Sequence, residues 1–482
     1  MTGKEKIYES LIAILGPEGV SQDAAALERY SKDALRRSRG FHDLQKLDSR
    51  PEIVVRPTST EQVSAIVKLA AEEKVPIVPY GGGTGLMGGV LPIKEGIVID
   101  LKGMNKILSI SEQNGSALVE AGVVLKTLDE ELNKKGLILG HDPWTISFAT
   151  VGGAISTDGL GYRGAKYGSM GDQVLGLEVV LPNGRVLQTR GIPKSSTGIS
   201  QNHLFIGAEG IFGIITKAML RAFPMPEKRA VHAFGFSSFE DGFGAIVKMF
   251  AIGLTPALVD FSEMNPSLPG RMLRRVLSPG SPPATLYLGF EGFREEVAAQ
   301  KGRAIRICQE YGAHSLKAKE AQHFWDTRHR IAERYYRSPL FPLGYGLLSN
   351  LLRNLKYDFV HVSLPISRVA EYRRRCPEIL SRHHTHLVEY AIWTRPELFS
   401  LVMVGMALSE SQAVAKIEGV VNELLALAQD MGGSMEYCHG VGVRLAHLMD
   451  RELGYGLEVL RAIKSALDPD NIMNPGKLAV EP

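Results

Sequence analysis

Between Pro51 and Tyr80 the chain sets two solid apolar blocks around one long periodic stretch. Ile53-Val54-Val55 and the run from Val75 to Val78 are apolar almost throughout, the pattern of short buried strands. Between them Val63, Ile66, Val67 and Ala70 mark one face of a helix. Thr58, with Glu61 three residues later, gives that helix a capping-box start. The three together predict a β-α-β unit. Residues 96–100 and 117–122 repeat the short apolar pattern between turn residues and predict two further strands. Leu125 and Leu128 open an amphipathic helix that Gly136 stops. Residues 175–181 and 186–189 predict a hairpin through Pro182-Asn183-Gly184-Arg185, whose Asn-Gly suits a tight turn. From Arg229 to about Met431 long helical stretches alternate with strand runs such as residues 284–290. Residues 1–50 read as helical and charged, and the basic run Arg36-Arg37-Ser38-Arg39 as a solvated lead-in.

Glycine interrupts this pattern three times, each time beside a predicted strand. Residues 79–89 hold six glycines in eleven positions, Pro79-Tyr80-Gly81-Gly82-Gly83-Thr84-Gly85-Leu86-Met87-Gly88-Gly89. Thr150-Val151-Gly152-Gly153-Ala154-Ile155-Ser156-Thr157-Asp158-Gly159 and Gly207-Ala208-Glu209-Gly210-Ile211-Phe212-Gly213 follow. Glycine lets backbone approach a ligand with no side chain between them, and consecutive turn amides make a positive nest suited to a diphosphate. The first loop lacks the Lys of a P-loop, and no clear long helix follows it as in a dinucleotide fold. Packing alone does not account for three such loops within about 140 residues, because glycine weakens strands. A large cofactor with a diphosphate and a flat ring does.

At 482 residues, with 22% charged and a formal net charge of +3, the chain is long enough for two or more domains and gives no case for nucleic acid. No apolar run reaches the ~20 residues of a membrane span, and the polar N-terminus is unlike a signal peptide. Cys308, Cys376 and Cys438 are odd in number and far apart, which points to a reducing compartment, the cytoplasm, and away from a disulfide framework or an in-chain iron–sulfur centre.

The stretches VPIVPYGGGTGLMGG, ATVGGAISTDGLGYRGAKYGSMGD and HLFIGAEGIFGIIT, with LDPDNIMNPGKL near the end, resemble the FAD-binding domain of the vanillyl-alcohol oxidase / p-cresol methylhydroxylase superfamily. The resemblance implies an α+β fold: a lead-in over residues 1–44, a two-part FAD domain over 45–225, an α+β cap with an antiparallel sheet over 226–435, and a segment over 436–482 that returns to the FAD domain and active site. By the same resemblance Gly81, Gly82, Gly83, Thr84 and Gly85 bind the diphosphate. Thr150, Gly152, Gly153, Ser156 and Thr157 lie along the ribityl chain and flavin edge, and Glu209, Gly210 and Ile215 contact the ring or adenosine side. Pro79, Leu86, Gly159, Tyr167, Gly168 and Asn474 complete the expected cofactor set. Thr84, Leu86 and Met87 stand where covalent members often carry His, so the FAD is expected to be non-covalent.

Within the superfamily the chain resembles the D-2-hydroxyacid dehydrogenase branch. His439, in Glu436-Tyr437-Cys438-His439-Gly440-Val441-Gly442, is the candidate base, since imidazole titrates near ~6.5 and can take the hydroxyl proton as a hydride goes to flavin N5. Arg328, three residues after Trp325, and Lys356, before Tyr357-Asp358, are the candidate holders of a substrate carboxylate. The metal-binding His-x-x-Gly-Asp-Gly-Asn stretch of that branch is missing; His383, His384, His386 or Glu436 would have to rebuild it, and no metal is expected. Alkyldihydroxyacetonephosphate synthase, which exchanges an acyl for an alkyl group without net redox change, is the alternative, on His141-Asp142-Pro143 and His439-Gly440-Val441-Gly442. A non-enzymatic FAD-bearing subunit is a third. The dehydrogenase reading requires a small anionic substrate and an external acceptor: a quinone, a cytochrome, an electron-transfer flavoprotein or oxygen. Residues 301–337 carry nine Lys or Arg against four Asp or Glu, a face that is mostly solvated but also suits an anion or a peripheral contact at the inner face of a membrane. A homodimer is compatible with the chain.

Overall fold

The apolar blocks around the first predicted helix do form strands, but the two strands are not neighbours. A computed structural model describes residues 3–35, 39–41, 44–265, 282–337 and 354–482; Arg36, Arg37 and Ser38 of the basic run lie outside them. The first sheet contains β1 (Val20–Ser21), β2 (Ile53–Val55), β3 (Ile77–Tyr80) and β4 (Ile97–Asp100) in the order β1-β2-β4-β3. β4 runs parallel between β2 and β3, with Ile53 opposite Ile97 and Ile77 opposite Ile97 on its other side. The helix Thr60–Glu72 crosses over, burying Val63, Ile66, Val67 and Ala70. Ser59, not Thr58, is its N-cap and accepts from the Gln62 amide, while the Gln62 side chain receives the Thr58 amide.

Downstream come β5 (Ile107–Ser111), β6 (Ser116–Glu120), the two-residue β7 (Leu137–Ile138), β8 (Val174–Val180), β9 (Val186–Gln188), β10 (Ile214–Arg221) and the short β11 (Phe223–Pro224). Five form an antiparallel sheet in the order β5-β6-β10-β8-β9, and β8 and β9 are the expected hairpin, with Gly184 at φ 75° in its turn. The glycine loops hang between these two sheets.

Among the described residues the cap sheet is antiparallel and has seven strands: β12 (Lys228–Phe236), β13 (Leu258–Met264), β14 (Ala284–Gly292), β15 (His314–Ser315), β16 (Leu355–Ser363), β17 (Thr385–Trp393) and β18 (Leu398–Met406). Their order is β15-β12-β14-β13-β17-β18-β16. The helices Phe239–Ala251, Arg294–Glu310, Ile366–Arg382 and Glu410–Asp430 cover one face and bury Phe261, Val360, Val362 and Leu401. Alternation turns Asp260, Phe359, His361, Trp393 and Val402 to the other face, where they line a cavity.

Both chain ends close on the first sheet. Ile77 donates to Ile472 and accepts from the Asn474 amide, so the C-terminal segment lies beside β3. The described residue of the basic run, Arg39, is not solvated as expected. Asp33 is buried and receives the Gly88 amide at 3.0 Å, and Ala34 donates to Gly85. Arg39 is 1% exposed; its Nε and Nη2 reach Asp358 Oδ1 of β16 at 2.9 and 2.7 Å, and Nη1 reaches the Leu86 carbonyl at 2.6 Å. Among the described residues no helix is long and apolar enough to cross a membrane.

Candidate active site

The cavity between the glycine loops and the cap sheet has a volume of about 520 Å³, within the usual range for ligand sites. One end is backbone. Pro79, Gly81, Gly82, Gly83, Thr84, Gly85 and Leu86 line it together with Thr150, Gly152, Gly153, Ser156, Thr157 and Gly159, and with Glu209, Gly210 and Ile215. The three glycine loops, up to about 130 residues apart in sequence, thus converge. A Cβ at Gly82 would run into the Phe148 carbonyl, and Gly83 sits at φ 64°. The amides of Gly82, Gly83 and Thr84 donate to no acceptor among the described residues. Thr150 Oγ1 and His141 Nδ1 are buried on the same walls without a partner. Unpaired amides on bare backbone, beside a buried unpaired hydroxyl, are what a diphosphate and a hydroxylated chain would satisfy.

Not every expected cofactor residue reaches this cavity. Tyr167 turns to Glu291, 3.2 Å from its hydroxyl, and packs on Phe223. Gly168 serves as the cap of a short helix at φ 80°. Asn474 lies behind the wall, its Nδ2 donating to the carbonyls of Gly89 and Glu209 at 2.9 and 2.6 Å. It fastens the first loop to the third.

The other end is side chains. His439 faces His361 with ring centroids 4.7 Å apart, and both lie beside Phe359. His439 Nδ1 is 3.4 Å from Glu436 Oε1, which also accepts the amides of Tyr437, Cys438 and His439. Burial would raise the Glu436 carboxyl, but His439, His361 and the Cys438 amide outweigh it and hold the group at about 2. His361 Nδ1 meets Ser400 Oγ at 2.6 Å, and Ser400 meets the Tyr437 hydroxyl at 2.8 Å. Burial first, then the neighbouring His439, push His361 down to about 3, so it is neutral. Glu436, Cys438 and His439 offer three ligand atoms within 4.8 Å of one another, although three amides already occupy Glu436 Oε1. His383 is bound to Glu423 on the helix side.

The loop after His439 is fixed from beneath. Glu209, buried and at φ 50°, accepts the Val441 and Gly442 amides. Burial raises its carboxyl to about 7 and that of Asp33 to about 6, while burial pushes the nearby Lys477 amine down to about 7.

The two cations expected to hold a carboxylate are occupied elsewhere. Arg328 stacks 3.8 Å above Trp325 and gives Nη2 to Asp142 at 3.0 Å. Lys356, 2% exposed, lies on the helix side of β16 and pairs with Glu410 at 2.7 Å. Residues at even positions of β16 face the helices, so Phe359 and His361 take the cavity positions. Among the described residues no Lys or Arg side chain lines the cavity. Asp358, behind Phe359, carries two guanidiniums, Arg39 and Arg444, and Arg39 stacks 4.1 Å from the Phe359 ring. The odd-numbered alternation of β16 was the one signal that could have favoured His361 over Lys356 beforehand.

Two family models match the chain: "FAD binding domain" over residues 51–190 and "FAD linked oxidases, C-terminal domain" over residues 225–478. The chain is 29% identical over 474 residues to the glycolate oxidase subunit GlcD of Bacillus subtilis, covering 98% of this chain and 96% of that one. It is 33% identical over 430 residues to the D-lactate dehydrogenase of Archaeoglobus fulgidus (88% and 91% covered). It is 26% identical over 501 residues to the alkyldihydroxyacetonephosphate synthase of Trypanosoma brucei brucei (96% and 79% covered). Among solved structures, p-cresol methylhydroxylase with substrate bound superposes with a TM-score of 0.77 at 21% identity, covering 100% of this chain and 98% of that one. The convergent backbone, the unpaired Thr150 hydroxyl and the side-chain end match what an FAD with a substrate beside its ring would need.

Proposed function

This chain belongs to the FAD-linked oxidases, and on that footing we propose that it oxidises a 2-hydroxy acid to the 2-oxo acid and passes the electrons to an external acceptor. FAD is its cofactor; it is expected to be held without a covalent bond and, when bound, would supply the hydride acceptor. The observation that carries the reading is His439 in the cavity wall, backed by an ionised Glu436 and faced by a neutral His361.

His439 takes the substrate hydroxyl proton. Glu436 Oε1, 3.4 Å from Nδ1, favours a proton on that nitrogen and leaves Nε2 as the acceptor. The same carboxylate then stabilises the imidazolium. His361 keeps its orientation through Ser400 and Tyr437. The substrate carboxylate belongs at the Phe359–His361 end. There Asp358 gathers the guanidiniums of Arg39 and Arg444 behind the wall, and they offset the ionised Glu436 beside His439. Arg328 and Lys356 hold structure instead of substrate. Names of relatives, D-lactate dehydrogenase and glycolate oxidase, support the 2-hydroxy acid class.

The test is anaerobic addition of D- and L-2-hydroxy acids to the yellow protein. One enantiomer is expected to bleach the oxidised flavin band, and His439→Ala to slow bleaching by roughly 10²–10⁴ with FAD retained. Full turnover by His439→Ala would remove His439 from the role. The second imidazole beside His439 favours one other reading, acyl-to-alkyl exchange of the synthase type. A flavin that stays oxidised with every acid, but supports exchange between an acyl dihydroxyacetone phosphate and a fatty alcohol, would establish that reading in its place.

A further inference from the structure

We infer that Asp260 is a specificity-determining residue and that the substrate carries, beyond its reacting carbon, a hydrogen-bond-donating group, a hydroxyl or an ammonium, that this carboxylate receives. The inference rests on the 2-hydroxy acid reading above and narrows it.

Asp260 lies on β13 directly opposite Trp393 of β17, and both side chains line the cavity. Its carboxyl has no hydrogen bond or ion pair among the described residues. Tyr162, also in the wall, gives its hydroxyl to the Arg328 carbonyl at 3.3 Å. The nearby guanidinium of Arg328 is already matched by Asp142. A carboxyl facing a cavity without a protein partner needs a donor from whatever fills the cavity. Burial, with Glu389 on the same sheet, raises Asp260 to about 7; a hydroxyl or an ammonium relieves that cost, and a second carboxylate adds to it.

Distance sets the size of the substrate. Trp393 reaches His361 with ring centroids 5.3 Å apart, and His361 faces His439. From β13 to β16 the sheet order crosses β17 and β18. Three strand spacings of ~4.8 Å, with a two-residue offset along β16, put the Asp260 and His361 backbones roughly 16 Å apart. A three-carbon acid, built from bonds of about 1.5 Å, cannot touch both ends. Charge differs between the ends: two guanidiniums on Asp358 stand behind Phe359 at one end, and an unpartnered carboxyl stands at the other. An acid that lays its carboxylate at His361 and a donor at Asp260 fits both.

The holoenzyme can be assayed with a dye acceptor on D-lactate, D-gluconate, 6-amino-2-hydroxyhexanoate and D-2-hydroxyglutarate. Expected is a kcat/KM at least tenfold higher for gluconate or the amino acid than for lactate, with hydroxyglutarate the poorest. Asp260→Leu should shrink that preference at least tenfold. Asp260→Asn separates the sources, keeping the preference if the donor is a hydroxyl and losing it if it is an ammonium. Flavin difference spectra report binding of the same acids without turnover. A protein that oxidises none of them fails the proposed function, whereas the Asp260-dependent order of affinities still decides this inference. Lactate or hydroxyglutarate leading the series, with an order unmoved in Asp260→Leu, would overturn it.

Discussion

Glu209 holds the amide of Gly442 with both carboxylate oxygens, each at 3.0 Å, although the two residues are 233 positions apart. The same carboxylate takes the Val441 amide at 2.6 Å. The third glycine loop thereby sets the height of the loop that carries His439. Glu209→Gln replaces one oxygen by an NH₂ that faces an amide donor, so the loop must shift. Expected is a fall in kcat of roughly ten- to a hundredfold, the cost of about 1 Å of misplacement, with the FAD spectrum retained. Rapid-mixing flavin reduction checks it; an unchanged reduction rate would leave Glu209 a purely structural acceptor.

Gly82 has no space for a methyl group, because the Phe148 carbonyl stands where its Cβ would be. The obstacle is backbone and cannot swing aside. Gly82→Ala is expected to weaken FAD binding about ten- to a hundredfold, the equivalent of 1–3 kcal/mol of overpacking, while far-ultraviolet circular dichroism is unchanged. Flavin fluorescence released on dilution measures it.

Arg328 joins Asp142, Trp325 and the Tyr162 hydroxyl, which bonds its carbonyl. Burial opposes an ionised Asp142, but Arg163 and Arg328 keep it below the usual carboxylate range. Arg328→Ala removes one of those two guanidiniums and is expected to cost about 3 kcal/mol in urea unfolding, with the KM for a 2-hydroxy acid within about threefold of the parent. A KM rise of a hundredfold at unchanged stability would return Arg328 to the carboxylate.

His361 titrates near 3 because burial and its neighbour His439 disfavour its charge. An imidazole lowered in the folded state and ordinary in the unfolded one contributes stability that is present above pH 6.5 and lost as pH falls towards 3. His361→Gln keeps a partner for Ser400 and does not titrate. Relative to that variant, the parent should lose ~3 kcal/mol between pH 6.5 and 4. Chemical denaturation of both proteins at the two pH values gives the difference, and parallel pH profiles would refute it.

Local rules were enough to read the glycine loops, the β8–β9 hairpin, the helical face of Val63, Ile66, Val67 and Ala70, and the change of pattern after Arg229. A backbone that must approach a ligand requires glycine wherever it lies, and helical spacing is a property of neighbours. The resemblance carried by those loops also marked the cofactor. Tertiary structure alone decided that β4 separates β2 from β3, that Asp33 and Arg39 are buried against the first glycine loop, and that Asn474 ties two loops from behind. It also paired Lys356 with Glu410 and Arg328 with Asp142, and put His361 and Asp260 in the cavity wall. Which face a strand residue presents depends on where the sheet lies against its helices, and an arginine is free or spent according to whether a carboxylate such as Asp142, 186 positions away, arrives beside it. Those are long-range facts of burial and charge pairing, and a linear sequence does not contain them until the chain has folded.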